Sequence, residues 1–249
     1  MKELGFLRAA PVLFEKSTDS TNLQLKKLAA QGAAEGTVLI ALQQSAGRGR
    51  LGRDFISPEG GVYLSMLLRP ETAPEKLPQL SACAAVAVRR AIKACCGLEA
   101  DIKWPNDLLL QGKKICGILA ETVAGRDLAV ILGIGINLNT PEEALDPALV
   151  GNAASVRALS GRECDREAFC RCLVEALDEL YSRWKKGDSF VEEYSAACVT
   201  VGRKVLLLGG DYPREAEALK ISEDMSLLVR LPDGREEAVR YGEVTIRNG

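Results

Sequence analysis

Histidine is absent from the 249-residue chain. That absence removes Ser-His-Asp triads, Cys-His nucleophile pairs and every His-ligated metal site. Any chemistry must rest on Lys, Arg, Asp, Glu, backbone amides or a metal brought in with a substrate. The eight cysteines contain no CxxC pair. Thiol-only zinc sites show two close-spaced pairs of CxxC type; Cys170 and Cys172 could touch a metal, but no metal site is expected. The cysteines read as small buried hydrophobes of a cytosolic protein. The N-terminus, Met1 to Ala10, lacks the continuous apolar run of a signal peptide. The longest apolar stretch, Leu128 to Leu138, falls short of the roughly 20 residues of a membrane span. Net charge is only −2, which gives no electrostatic reason for the whole chain to bind nucleic acid or a membrane surface. Repeats and low-complexity segments are missing too.

What is present suits an ordinary globular protein. Hydrophobic residues make up 47%, enough for one large core or for a medium and a small one. A first helix is predicted from Thr21, with Thr21 and Gln24 at capping-box spacing and Gly32 as its stop. Val38 to Leu42 and Val62 to Leu68 have strand length. Leu77 to Cys96 is Ala-rich with apolar residues at helical spacing, ended by Gly97. Ile102, Leu108 to Leu110, Ile115 to Val123 and Leu128 to Asn137 read as strands, with a tight turn at Gln111-Gly112. Pro141 to Asn152 reads as loop, Asp165 to Lys186 as an amphipathic helix, and Phe190 to Cys198 as more helix. After Val199 the pattern changes. Val205 to Leu208, Glu215 to Ile221, Ser226 to Leu231 and Glu237 to Tyr241 are short strands, punctuated by Gly209-Gly210 and Asp233-Gly234. Short strands with glycine turns predict a small β-barrel and a domain boundary near 199.

Five segments have the composition of sites. In Gly47-Arg48-Gly49-Arg50-Leu51-Gly52-Arg53, glycines allow close backbone approach and an anion nest, and arginines offer bidentate donors to phosphate or carboxylate. A solvated basic loop or an RNA contact is the competing reading. The GKS/GKT ending of a Walker loop is missing. Lys103-Trp104-Pro105-Asn106-Asp107 is either a turn around a core tryptophan or an amide and a carboxylate held beside a nucleotide. Lys113 and Lys114 enter a strand and point to opposite faces, one to solvent and one toward a pocket, although exposure is the usual state of a lysine. Gly133-Ile134-Gly135-Ile136-Asn137 marks a bulge or a close ligand approach. Ser20-Thr21-Asn22 is a helix cap or a binding segment.

The order and spacing of these segments, together with Gln44 to Arg53, Lys114 to Leu119 and the closing Gly242-Glu243-Val244-Thr245-Ile246-Arg247, resembles the biotin–protein ligase family over nearly the whole chain. The resemblance implies an α+β fold: a mixed-sheet catalytic domain of the class II aminoacyl-tRNA-synthetase/biotin-ligase type over residues 1–198 and an SH3-like barrel over 199–249. It implies activation of biotin with ATP and Mg²⁺ to biotinyl-5′-AMP, then transfer to a lysine of a biotin carboxyl carrier protein. Biotin would contact Ser20, Thr21, Asn22, Gln44, Arg48, Gly49, Arg50, Lys114 and Gly117. The nucleotide would meet Arg50, Asn106, Asp107, Lys114 and Asn137. Lys114, Arg50 and Arg48 would supply catalytic charge. Glu243 and Arg247 match positions tied to ATP use.

The pattern departs from the family at Asp54-Phe55, where relatives often carry a basic residue and Trp, and at Leu51, which is Arg in some. Only sixteen residues precede Ser17, which is too few for the DNA-binding domain of bifunctional members. A monofunctional cytoplasmic enzyme, not bound to DNA or membrane and forming a homodimer, is the expectation. A lipoate–protein ligase is the alternative.

Overall fold

The structure is a computed structural model that describes residues 2–4, 8–123, 128–149, 151–208, 212–240 and 242–246. Eight strands form one mixed sheet: β1 (Lys2–Leu4), β2 (Val12–Thr18), β3 (Val38–Gln44), β4 (Val62–Leu68), β5 (Asp101–Lys103), β6 (Asp107–Leu110), β7 (Lys113–Val123) and β8 (Ala129–Ile136). Their spatial order is β1-β2-β3-β4-β8-β7-β6-β5. Only β2 and β3 run parallel, and the crossover between them is α1 (Thr21–Ala30). Five helices accompany the sheet: α1, α2 (Pro78–Cys96), α3 (Val156–Ser160), α4 (Arg166–Lys185) and α5 (Val191–Ala196).

Helices cover both faces of the sheet centre, and this explains its sequence. Helix α1 packs on β3, β4 and β8 from one side, while α2 packs on β6, β7 and β8 from the other. A strand sealed on both faces reads as a continuous apolar run. All seven residues of β4 are buried, as are seven of the eight in β8. The alanines of α2 let it lie close to the sheet, and Gly97 at φ 70° ends it in the left-handed conformation that glycine adopts without strain. Helix α4 starts on Asp165, whose carboxylate accepts from the amides of Glu167 and Ala168. Its buried stripe of Phe169, Leu173, Leu177, Leu180 and Trp184 keeps helical spacing and packs on α2.

A second, antiparallel sheet follows: β9 (Lys204–Leu208), β10 (Arg214–Ile221), β11 (Leu227–Arg230), β12 (Glu236–Val239) and β13 (Glu243–Ile246), in the order β12-β11-β10-β9-β13. The whole is α+β, a mixed sheet with a separate C-terminal antiparallel sheet of SH3-like type. Trp104 joins the two sheets. Its ring is buried, its indole N–H donates to the Met225 carbonyl at 2.9 Å, and its backbone amide donates to Thr200 Oγ1 at 3.0 Å. The Trp104–Pro105 peptide is cis.

Several expectations need correction. The Thr21–Gln24 capping box does not form. Ser20 occupies the N-cap position without a side-chain cap, Gln24 donates to Asp19 instead, and Thr21 turns to Gln44. Strands β1 and β2 and helix α3 carried no strong pattern. In β2 apolar residues give way to Glu15 and Lys16, and α3 has five residues, too few for a period. Gly209-Gly210, Tyr241 and Arg247 lie outside the described residues.

Replacing Trp104 with alanine removes a buried ring and leaves the Met225 carbonyl unpaired. The expected cost is about 3–5 kcal/mol, read from urea unfolding. A loss below about 1 kcal/mol would show that the two sheets do not depend on this joint.

Candidate functional site

The site begins where β2 hands the chain to α1. Ser20, Thr21 and Asn22 are all buried. Gln44, at the end of β3, accepts through its side-chain oxygen from the Thr21 amide at 2.8 Å and the Thr21 hydroxyl at 3.0 Å. Its amide nitrogen donates to Ser57 Oγ at 2.9 Å. Ser65, the one serine of β4, lies 2.7 Å from Thr21 Oγ1 and 2.5 Å from Asn22 Oδ1. Asn22 then donates to Glu121 of β7 at 2.7 Å, and Lys26 pairs with the same carboxylate at 2.6 Å. Burial pushes the Glu121 pKa up, but the bonds from Lys26 and Asn22 outweigh it and hold the group below its ordinary value. A row of donors and acceptors thus lines one face of the sheet, fixed from four directions.

The Gly-Arg loop lies over this face. The backbone of Arg48 bridges to Asp54, and the Gly49 amide donates to the Arg53 carbonyl at 2.7 Å, so the loop is pinched at its base. A Cβ on Gly47 would strike the Phe55 carbonyl and the Ser57 hydroxyl, which is why glycine stands there. Arg48 is exposed, and its charge acts on Glu121. Leu51, at the tip, is exposed and holds a positive φ of 56°. Arg50 turns inward and donates to Asn106 Oδ1 at 2.8 Å and to the Gly242 carbonyl at 3.0 Å. Arg53 grips Glu243 of β13 with two bonds of 2.7 Å. The C-terminal sheet therefore clasps the loop.

The third part is the turn between β5 and β6. Asn106 accepts from Arg50 and donates to the Ile118 carbonyl of β7 at 2.8 Å. Asp107 pairs with the Lys114 ammonium at 2.7 Å. Burial lowers the Arg50 pKa, while Glu243 and Asp107 act to raise it. A register shift between Leu108 and Leu109 sets Lys114 opposite Leu109. Its side chain then runs back beside Gly117. Asn137 follows β8, with its amide bonded to the Ile115 carbonyl at 2.8 Å, one residue from Lys114.

Glycines make the floor. Gly117 and Gly135 are directly paired across β7 and β8, and a Cβ on either would run into the Phe55 ring. Gly133 leaves the same clearance for the Asn22 amide. The Phe55 ring lies on this floor and meets Tyr63 edge-on, with centroids 6.4 Å apart. Beyond Arg50 and Asn106 a cavity of about 140 Å³ opens between α2, Trp104, Met225 and Arg240.

Comparison with known proteins fits this geometry. The model of the biotin/lipoate A/B protein ligase family matches residues 14–139. A biotin–[acetyl-CoA-carboxylase] ligase of Paracoccus denitrificans is 33% identical over 231 residues, covering 88% of this chain and 94% of the relative. The chain belongs to the biotin/lipoate A/B protein ligase family. The bifunctional ligase/repressor BirA of Bacillus subtilis is 39% identical over 173 residues, 68% of this chain and 53% of that protein. The match thus spans about half the length of that relative. A solved structure of the biotin protein ligase from Aquifex aeolicus, in complex with biotin and ATP, superposes with a TM-score of 0.83 at 30% identity, covering 96% of this chain and 99% of that one.

In this member of the biotin/lipoate ligase family the fold brings together Thr21, Asn22 and Gln44 through hydrogen bonds, and Arg50, Asn106, Asp107 and Lys114 through a second chain of contacts. Gly117 lies against Lys114, and Asn137 stands behind it. Arg48 stays at the rim. Reasoning from sequence missed Ser65, Glu121 and Ser57. A single serine in the all-buried strand Val62–Leu68 was a usable signal, because a buried hydroxyl must find a partner. Among the described residues no group of three or more acidic or thiol side chains is placed to hold a metal ion.

Two outcomes follow from this geometry. The depressed pKa of Glu121 stabilises the fold above its unfolded value of 4.5, and that stability is lost as pH falls through the lower folded value. As pH falls through 4.5 and below, Glu121→Gln should flatten the fall in urea midpoint relative to the parent. An unaltered acid profile would mean that the Asn22–Glu121–Lys26 link adds nothing. Glu243→Ala should release the loop, so that trypsin cuts after Arg48, Arg50 or Arg53 about two- to fivefold faster, as expected for one exposed ion pair. High salt should do the same to the parent.

Proposed function

We propose that this chain is a biotin–protein ligase: it joins biotin to ATP as biotinyl-5′-AMP and passes the biotinyl group to a lysine of a biotin carboxyl carrier protein. The observation that carries the reading is the chain of contacts Arg50–Asn106 and Asp107–Lys114, which holds two cations from separate segments on adjacent residues of one turn. The Aquifex aeolicus relative that binds biotin and ATP, and the ligase from Paracoccus denitrificans, support it.

In the first step the biotin carboxylate oxygen attacks the α-phosphate and pyrophosphate leaves with its Mg²⁺. Negative charge gathers on the phosphate oxygens, where Lys114 and Arg50 offer fixed positive charge and Arg48 adds more from the rim. In the second step the carrier lysine attacks the mixed-anhydride carbonyl and AMP leaves. Neither step requires histidine. The acid group and the nucleotide lie toward Lys114, Asn106, Asp107 and Asn137, and the biotin rings lie toward Ser20, Thr21, Asn22 and Gln44. A ureido group both donates and accepts, so it matches that mixed row. The dithiolane ring of lipoate neither donates nor accepts and would gain nothing from this row, which disfavours a lipoate ligase. The Gly-Arg loop, with Gly49 at its base, closes over the adenylate and keeps water from it. Eight cysteines, all reduced, support placing the enzyme in the cytosol. The segments 1–198 and 199–249 are its catalytic and SH3-like domains.

Incubation with biotin, MgATP and a carrier domain should add one biotinyl group to the carrier, read by mass spectrometry. No transfer, or transfer of lipoate in preference, overturns the reading. Lys114→Ala should keep the fold by circular dichroism and lose about 10²–10³-fold in biotinyl-adenylate formation. Near-parental formation would remove Lys114 from its role.

A further inference from the structure

Thiols gather at one place outside these motifs. Cys95 and Cys96 end α2, and Cys164 immediately precedes Asp165, the N-cap of α4. The sulfurs of Cys96 and Cys164 are 3.0 Å apart, one thiol donating to the other, at a sequence separation of 68. Cys172, two turns into α4, bonds to Cys95. All four are free thiols, with Cys95 and Cys172 partly exposed and the inner pair nearly buried.

From this arrangement we infer that Cys96 and Cys164 are a redox modification site, closed to a disulfide by hydroperoxides.

Bringing the sulfurs from 3.0 Å to bonding distance near 2.05 Å needs a movement of about 1 Å. The backbones are held ready for it. The Asn139 side chain donates to the Cys164 carbonyl at 2.8 Å and accepts from the Cys164 amide at 2.9 Å. On the other side Cys96 sits in the last turn of a 19-residue helix packed on α4. Apolar burial explains a cysteine in a core, but it gives no reason for two sulfurs to face each other across two helix ends. Burial and then Cys164 push the Cys96 thiol up to about 12, so the attacking thiolate is scarce and closure of the pair is slow.

The chemistry balances. One thiolate attacks the peroxide oxygen, the O–O bond breaks, and a sulfenic acid and water form. The second thiol then attacks the sulfenic sulfur, the S–S bond forms, and hydroxide leaves to collect the released proton as water. Two thiols give up two electrons and two protons in all, and hydrogen peroxide becomes two waters. A cytosolic thiol reductant reverses the reaction. The bond would close a long loop and staple α2 to α4.

The test uses the full chain, folded, treated with hydrogen peroxide, alkylated, and mapped by mass spectrometry without reduction. The expected product is a peptide pair joined through Cys96 and Cys164, formed equally in a Cys95→Ser/Cys172→Ser variant. The melting temperature should rise on the order of 5 °C, and dithiothreitol should reverse both changes. Cys96→Ser and Cys164→Ser should each lose the cross-link and the shift. The inference is overturned if Cys96 and Cys164 stay open to alkylation, if they pair with other cysteines, or if the bond appears only after unfolding in urea.

Discussion

Asn106 spends both ends of one amide on holding the site in register. Its oxygen takes Arg50 from a loop 56 residues earlier, and its nitrogen fixes to the Ile118 carbonyl of β7. The next residue, Asp107, holds Lys114 on the same strand. Two cations held on adjacent residues need counter-charges to stay in place. Here Asp107 and Glu243 balance them in the resting protein, the first on Lys114 and the second on the loop through Arg53. Under the proposed function an incoming phosphate replaces existing partners and does not have to assemble the site. Hydrogen bonds to charged groups contribute about 1.5–3 kcal/mol each, so the arrangement is firm without being irreversible.

The floor is the second constraint. A β-sheet normally presents side chains on both faces, and those would fill the space a flat ligand needs. Gly117, Gly133 and Gly135 clear one face of β7 and β8 at neighbouring positions. Phe55 and Asn22 use the clearance in this structure. Under the proposed function, biotinyl-adenylate laid on that floor has to move the Phe55 ring, and the ring sits on the loop that carries Arg48 and Arg50. Ligand entry and loop movement are then one event. The family position often filled by tryptophan is filled by a smaller ring, so displacement costs less buried area here.

Much of this was legible before any coordinates. Val62–Leu68 and the long helix ending at Gly97 follow from apolar runs and a terminal glycine, and the hairpin at Gln111-Gly112 shows the positive φ its turn requires. Motif order exposed Arg50, Asn106, Asp107 and Lys114. Periodicity failed where the site itself overrode local rules. Thr21 and Gln24 have capping chemistry, yet their side chains are committed to Gln44 and Asp19. Strand β2 is charged midway because β1 pairs only with Val12 to Phe14, and Glu15 and Lys16 lie past that pairing. Glu121 was hidden because one charge on an alternating strand looks like a solvated position, and only the packing of α1 turns it into a partner for Asn22 and Lys26.

The missing histidine fits the residues that are present. Acyl-adenylate formation asks for a carboxylate already ionised at neutral pH, an aligned phosphorus and positive charge where electrons accumulate; no side chain has to shuttle a proton in that step. Arginine and lysine stay charged throughout, so orientation is what the fold must supply. The parallel β2–α1–β3 crossover sets the Thr21–Gln44 pair, the β5–β6 turn sets Asn106 and Asp107, and the C-terminal sheet sets the loop through Gly242 and Glu243. The Gly242 carbonyl and Glu243 hold Arg50 and Arg53, which makes the small sheet a part of the candidate site and not an appendage to it.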